Sequence, residues 1–286
     1  MKARLAVVQF KTRVHEPEVN LRRMATFVKR AKARGADIVV FPEDFLTGPV
    51  RTRIELADQA STFLNVFRTL AATHKIDIVA GSIIERVGRK RLQNACYYVD
   101  ARGQLLSRYA KINLWITERA YMTPGDSAQT FKTRFGKIGL TICWDLAFPE
   151  LYRTYARQGA EMICNVAWWS REDAGPGLRL APKSEDLFIN ACCTARAFEE
   201  EAVIVFSNAA GEWALGGADY HSAGQTQVTV PFQGALKRID DDREGMIVQG
   251  VNSRVLQLAA KAYLIRQDLV SGRRLSGLPT RQGRAQ

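Results

Sequence analysis

The chain has little histidine. His15, His74 and His221 are its three, and none falls near a cysteine at metal-ligand spacing, which argues against a zinc site. Its five cysteines form an odd set without a CxxC pair, so a disulfide framework is not expected and a reducing compartment is implied. No apolar run approaches membrane-spanning length. The opening MKARLAVVQF lacks the long apolar segment and small-residue cleavage site of a signal peptide. These absences predict a cytoplasmic protein with no membrane partner. Acidic residues are in the minority, 29 against 41 Lys and Arg, for a net charge of +12. The basic residues are scattered and accompany no nucleic-acid-binding motif, so nucleic acid is not an expected partner. Part of the excess sits at the end of the chain. There Arg266, Arg273, Arg274, Arg281 and Arg284 lie among Gly, Ser and Pro, predicting a solvated basic tail over 266–286 behind one domain over 1–265.

What is present suits a sizeable core: 47% apolar and 24% charged residues, with no linker composition. KIGLTIC (Lys137 to Cys143) is a β-branched apolar run, predicting a buried strand that stops at Cys143. Pro149 then opens a helix carrying Leu151, Tyr152, Tyr155 and Ala156 at helical spacing, and Gly159 closes it. EMICNVAWW (Glu161 to Trp169) returns as a second strand. In such β-α-β units ligands sit beyond the carboxyl ends of the strands. A structural cysteine would more naturally fall within the strand, so Cys143 is the candidate nucleophile.

The rest of the chain repeats that grammar. RGADIVVFPE (Arg34 to Glu43) matches QGAEMICNVA (Gln158 to Ala167), IDIVAGS (Ile76 to Ser82) matches AVIVFSN (Ala202 to Asn208), and DARGQLL (Asp100 to Leu106) matches PFQGALK (Pro231 to Lys237). The offsets are 124, 126 and 131 residues, in the same order. Two similar α-β halves are predicted, each a sheet with helices on one face. Packing their bare sheet faces together gives a four-layer α-β-β-α sandwich with an internal pseudo-two-fold repeat.

Two further polar stretches stand out: Glu43 in FPED, past a buried strand, and Lys111 with Glu118 in KINLWITE. The ordered set Glu43, Lys111, Cys143, with an acid seven residues after the lysine, resembles the nitrilase or carbon-nitrogen hydrolase superfamily. The likeness covers nearly the whole chain, through FPED, Lys111 to Asp126, CWDLAFPE, Ala195 to Asn208 and GQTQVTVPFQG. It implies the same sandwich fold and a thiol hydrolase of amides or N-carbamoyl amines that needs no cofactor or metal. By resemblance Glu43 carries the proton of Cys143. Lys111 and the N–H of Trp144 hold the tetrahedral oxyanion, and Glu118 orients Lys111 or the substrate nitrogen. The helix N-terminus and Lys111 favour the thiolate while Glu43 opposes it, so the resting state of Cys143 stays open.

Cys-Trp-Asp at 143–145 resembles the amidase and carbamoylase branches more than typical nitrilases, and NVAWW departs from the proline-containing strand end of close relatives. Trp115, Trp168 and Trp169 are candidate walls of a substrate pocket, with plain core packing as the alternative. Nitrile hydrolysis or acyl transfer on the same residues, or a silent scaffold relative, are the competing functions. Cys96, Cys164 and Cys192 are expected in the core, Cys193 with its neighbour could make a vicinal dithiol, and His221 is expected to pack a loop. Self-association into a homodimer or larger oligomer is expected through Tyr152 and Tyr155 and through Val255, Leu256, Leu258 and Ala259.

Overall fold

A computed structural model describes residues 2–271 apart from 52, 60, 89 and 90. The first half runs β1 (Lys2–Gln9), α1 (Pro17–Ala33), β2 (Ile38–Val40), α2 (Thr62–His74), β3 (Asp77–Val87), β4 (Arg91–Val99) and β5 (Leu105–Ala110). The second runs β6 (Phe131–Thr133), β7 (Gly136–Ile142), α3 (Pro149–Arg157), β8 (Met162–Ala167), α4 (Ser184–Glu199) and β9 (Val203–Asn208). A hairpin of β10 (Glu212–Leu215) and β11 (Ala218–His221) follows, then β12 (Gln227–Val230) and β13 (Gly234–Arg238). β14 (Gly245–Asn252), α5 (Arg254–Ala262) and α6 (Ile265–Ser271) close the described chain.

Two six-stranded sheets result, ordered β14-β1-β2-β3-β4-β5 and β13-β12-β9-β8-β7-β6. Without the edge strands β14 and β6, both read as three parallel strands followed by two antiparallel ones. β2 and β3 therefore correspond to β8 and β9, and the β4–β5 hairpin to β12–β13, as the internal matches predict. The jump in offset from 126 to 131 falls where the second half inserts β10 and β11.

Strand alternation decides which face each sheet shows to which layer. On β1, Ala6 and Val8 pack with Met24, Phe27, Val28 and Ala31 of α1 and with Phe67 and Ala71 of α2. Leu5 and Val7 point the other way, into a core shared with Ile138, Leu140 and Ile142 of β7. Each large apolar side chain so buried contributes about 1.5 to 3 kcal/mol of transfer free energy. Polar pins cross between the sheets: Ser207 Oγ donates to the Val8 carbonyl at 2.7 Å, and the Ala210 N–H to the Phe10 carbonyl at 2.9 Å. α3 lies against the outer face of β7, where a Cβ on Gly139 would come within 2.8 Å of the Tyr155 ring.

Three expectations change. Tyr152 and Tyr155 are fully buried, their hydroxyls bonded to Thr141 and to the Leu140 carbonyl, so they hold α3 to its own sheet and offer no surface to a partner. Leu256 and Ala259 also face their own core, leaving Leu258 as the outward apolar residue of α5. The basic tail does not begin at 266. α6 crosses that boundary, and Arg266 Nη2 donates to the carbonyls of Ala160, Glu200 and Glu201 at 2.7, 2.6 and 3.2 Å. Those carbonyls lie just beyond α3 and α4, where a cation is favoured by unpaired C=O groups. Arg273, Arg274, Arg281 and Arg284 lie outside the described residues. Among the described residues no helix is long and apolar enough to cross a membrane.

Candidate active site

β7 delivers Cys143 into a strained turn. Its φ is 47°, the left-handed region that non-glycine residues enter at a cost of about 1 to 3 kcal/mol. Two buried side chains hold it there. Asp145 Oδ2 accepts from the Ile142 N–H at 2.9 Å and from the Tyr109 hydroxyl at 2.7 Å, while Oδ1 takes the backbone and side-chain N–H groups of Asn113, both at 2.9 Å. Asn165 Nδ2 lies 3.3 Å from the Cys143 carbonyl and also reaches Thr141 and Tyr152. Residues Cys143–Ala147 form one short 3-10 turn, and α3 begins only at Pro149. The expected α-helix N-terminus is therefore not at the thiol, and its stabilising field fades within a turn.

Glu43 comes from the other sheet. Beyond β2 the chain bends past β3, where Gly81 (φ 58°) has no Cβ to strike the Pro42 carbonyl, which would lie 2.0 Å away. Glu43 Oε1 accepts from Lys111 Nζ at 2.9 Å and Asn94 Nδ2 at 2.8 Å, and Oε2 from the Trp168 N–H at 2.7 Å. Lys111 stands just past β5, its N–H on the Asn94 carbonyl at 2.9 Å. Its ammonium also reaches Glu118, whose Oε2 is fixed by the Trp115 N–H at 2.7 Å. All four candidates, Glu43, Lys111, Cys143 and Glu118, thus meet in one buried cluster.

Burial and charge set their protonation. Burial lifts the Glu43 carboxyl above its ordinary 4.5, with Lys111 opposing and the Cys143 thiol hydrogen-bonding it. Burial would pull the Lys111 ammonium down, but Glu118 and Glu43 outweigh it and raise it well above 10.5. Burial, then the Glu43 charge, pushes the Cys143 thiol well above 9.0, and Lys111 offsets only part of that. These influences favour the protonated thiol at Cys143, beside a Glu43 carboxyl whose ionisation Lys111 supports and burial opposes. Asp44 next door is raised well above 3.8 by burial and by Glu43 and Glu118.

Above the thiol is a cavity of about 120 Å³ lined by all four expected tryptophans, Trp115, Trp144, Trp168 and Trp169. Trp115 packs edge-on to Trp144 with centroids 4.6 Å apart, and Trp144 tilts against Trp169 at 5.6 Å. The far wall was not anticipated. It comes from the β10–β11 hairpin, where Trp213 and Tyr220 stack at 6.2 Å and Trp213 meets Trp168 at 4.7 Å. The Gly216-Gly217 pair between them is a two-residue hairpin signal, and Trp213 pairs with Tyr220 in its register. Asn94, Asp145 and Asp173 were also missed, since long-range partners define them. His221 lies outside the cavity, its Nδ1 2.9 Å from Glu172, on a strand instead of a loop. Cys96, Cys164, Cys192 and Cys193 are buried free thiols away from the cavity, and burial lifts Cys164 to about 12.

The sequence profile of the carbon-nitrogen hydrolase family matches residues 4–261. The chain is 29% identical over 255 residues to a probable nitrilase, C965.09, of Schizosaccharomyces pombe, covering 86% of this chain and 88% of that one. It is 30% identical to the 2-oxoglutaramate amidase of Bacillus subtilis over 68% of this chain and 77% of the relative. Its fold is that of the crystal structure of Nit3 from Saccharomyces cerevisiae, with a TM-score of 0.78 at 24% identity over 92% and 94% of the two chains. With the profile spanning both sheets and every strand from β1 to β14, this chain belongs to the carbon-nitrogen hydrolase family, within the nitrilase superfamily, and is an enzyme acting on carbon–nitrogen bonds.

Proposed function

We propose that the protein hydrolyses a small amide or N-carbamoyl amine through a thioester on Cys143. The observation that carries this is the contact between the buried Cys143 thiol and the Glu43 carboxyl, whose other partners are the Lys111 ammonium and two N–H donors. The Cys143 proton moves to Glu43 as sulfur attacks the carbonyl carbon. Two of the three Lys111 donors are engaged by Glu43 and Glu118, and the third, with the Trp144 N–H, serves the oxyanion. When the tetrahedral species collapses, Glu43 returns the proton to the departing nitrogen, leaving a thioester and free ammonia or amine. Water then gives a proton to Glu43 and attacks the thioester, and the thiol is restored as the acid leaves. Glu118, anchored by Trp115, orients Lys111 and has no direct part in proton transfer.

The cavity supports a small substrate, since a benzene-sized molecule fills roughly 150 Å³ in a protein interior. Amide hydrolysis accords with the name of the Bacillus subtilis relative and nitrile hydrolysis with that of the Schizosaccharomyces pombe one. The Cys-Trp-Asp turn favours the amide. The test is ammonia release from a panel of short amides, N-carbamoyl amines and nitriles, with hydroxylamine as competing acceptor. Ammonia from amides or carbamoyl amines is the expected result. Release from nitriles alone, hydroxamate without hydrolysis, or no turnover would each reject it.

A further inference from the structure

One charge in the cavity has no part in the proposed reaction. Asp173 sits in the helical segment Arg171–Arg179 beyond β8 and lines the cavity beside Trp168, Trp213 and Tyr220. Its Oδ2 accepts the Ser170 N–H at 2.8 Å, and no cation pairs with it among the described residues. The charged residues on either side turn to other partners, Arg171 to Asp186 at 3.8 Å and Glu172 to His221 at 2.9 Å. Burial, with Glu185 and Glu43 adding their charges, lifts its pKa to about 6, so it is largely ionised at neutral pH. Its charge in turn acts on Cys143, which places the carboxylate within electrostatic reach of the thiol.

The surroundings select the sign of a ligand. Aromatic faces attract cations through the ring quadrupole, and do so most when water is excluded. The stacked Trp213 and Tyr220, with Trp168 edge-on to Trp213, supply such faces next to an uncompensated carboxylate. Arg51 also lines the cavity, but it is exposed, where solvent screens its charge. Burial and the Glu43 and Glu118 charges hold the Asp44 carboxyl well above its ordinary pKa, and the Lys111 charge is paired with Glu43 and Glu118.

We propose that Asp173 is a specificity-determining residue that receives an ammonium group of the substrate against Trp168, Trp213 and Tyr220, so that small cationic amides are preferred over neutral and anionic ones. This rests on the amidase reading only in taking the cavity as the substrate's place, and binding tests it apart from turnover. Calorimetry on the Cys143→Ala protein would compare 3-aminopropanamide, its isostere butanamide, and succinamate. The expected result is that the cation binds roughly tenfold or more tightly than butanamide, part of the charge attraction being spent on desolvation, and that succinamate binds least. Asp173→Asn in the same background should bring the cation-to-neutral ratio close to one, and Asp173→Glu should restore most of it. Equal or weaker binding of the cation with Asp173 present overturns the proposal, whether or not the variants fold. Tighter binding of succinamate, lost with Arg51→Gln, also overturns it and moves charge recognition to the rim. Cation-selective binding with no ammonia released by the Cys143 protein would leave the Asp173 assignment standing and sink the amidase reading. Hydrolysis without charge selectivity would do the reverse.

Discussion

The ends of β2 and β8 occupy equivalent places in the two halves, and they touch. Glu43 and Ala167, matched at an offset of 124 residues, are joined by the Glu43 N–H on the Ala167 carbonyl at 3.3 Å. Each chain leaving these strands is clipped by a polar side chain on the next strand over. In the first half Ser82 Oγ takes the Asp44 N–H at 3.2 Å, and in the second Asn208 Oδ1 takes the Trp169 N–H at 2.8 Å. The backbone solution is shared and the side chains are not. The first half and the segment after it supply Glu43, the proposed proton carrier, with its neighbours Asn94, Lys111 and Glu118. The second half supplies Cys143, the proposed nucleophile, and most of the walls: the tryptophans after it, and Asp173. In the proposed reaction the repeated fold thus separates a proton side from a carbon side.

Mutations should respect that division, and the largest effect belongs to the carbon side. Cys143→Ala is expected to abolish turnover with little change in thermal unfolding, because Asp145 and Asn165 grip the turn mainly through its backbone. A large stability loss with residual rate would make Cys143 structural. On the proton side, Glu43→Gln should cost on the order of 10² to 10⁴ in rate. Rapid mixing with a chromogenic ester should show slow decay of its acyl-enzyme, whereas Glu118→Gln leaves deacylation nearly unchanged. The reverse pattern would exchange the two acids.

Lys111→Met should lower kcat and kcat/KM together, by about 2.7 to 4 kcal/mol for one oxyanion donor. It also strands two buried carboxylates, so a stability loss of about 3 to 5 kcal/mol should accompany it in denaturant titrations. Its pH profile sharpens the comparison further. Burial raises Glu43, and the ionised form is the one that accepts a proton, so kcat/KM in the parent enzyme should fall on the acid side with an apparent pKa above 4.5. Removing the ammonium removes the influence that lowers that pKa, so the limb must move to higher pH. A limb that stays in place would show that another group controls it. The smallest effect is expected for Asn94→Ala, about 1 to 3 kcal/mol of stability from a lost bond to a carboxylate, with the acid limb again shifted upward. If Asn94→Ala altered substrate selectivity and left the pH profile untouched, the division between the halves would be wrong.

The fold was largely legible because the repeat is written locally, in helix stops and apolar strands at nearly constant offsets. Glu43, Lys111, Cys143 and Glu118 were legible as an ordered set with recognisable flanks. Asn94 was not, since an asparagine in a strand looks like any other until Lys111 folds back beside it. Asp145 reads as one acid among many, and only Tyr109, Asn113 and Ile142 reveal that it fastens the nucleophile turn. Tyr152 and Tyr155 misled in the other direction: polar tips suggested surface, yet both hydroxyls find partners inside. The thiol's protonation could not be read because burial, the largest influence on it, is a tertiary property.

That protonated thiol has a consequence for the working life of the protein. Peroxide and electrophiles consume thiolate, and a sulfur that keeps its proton at neutral pH is a slow target for both. In the proposed reaction Cys143 becomes nucleophilic as Glu43 takes its proton. A Cys143 thiol so protonated is expected to resist sulfenic-acid formation between turnovers as a free cysteine without a disulfide.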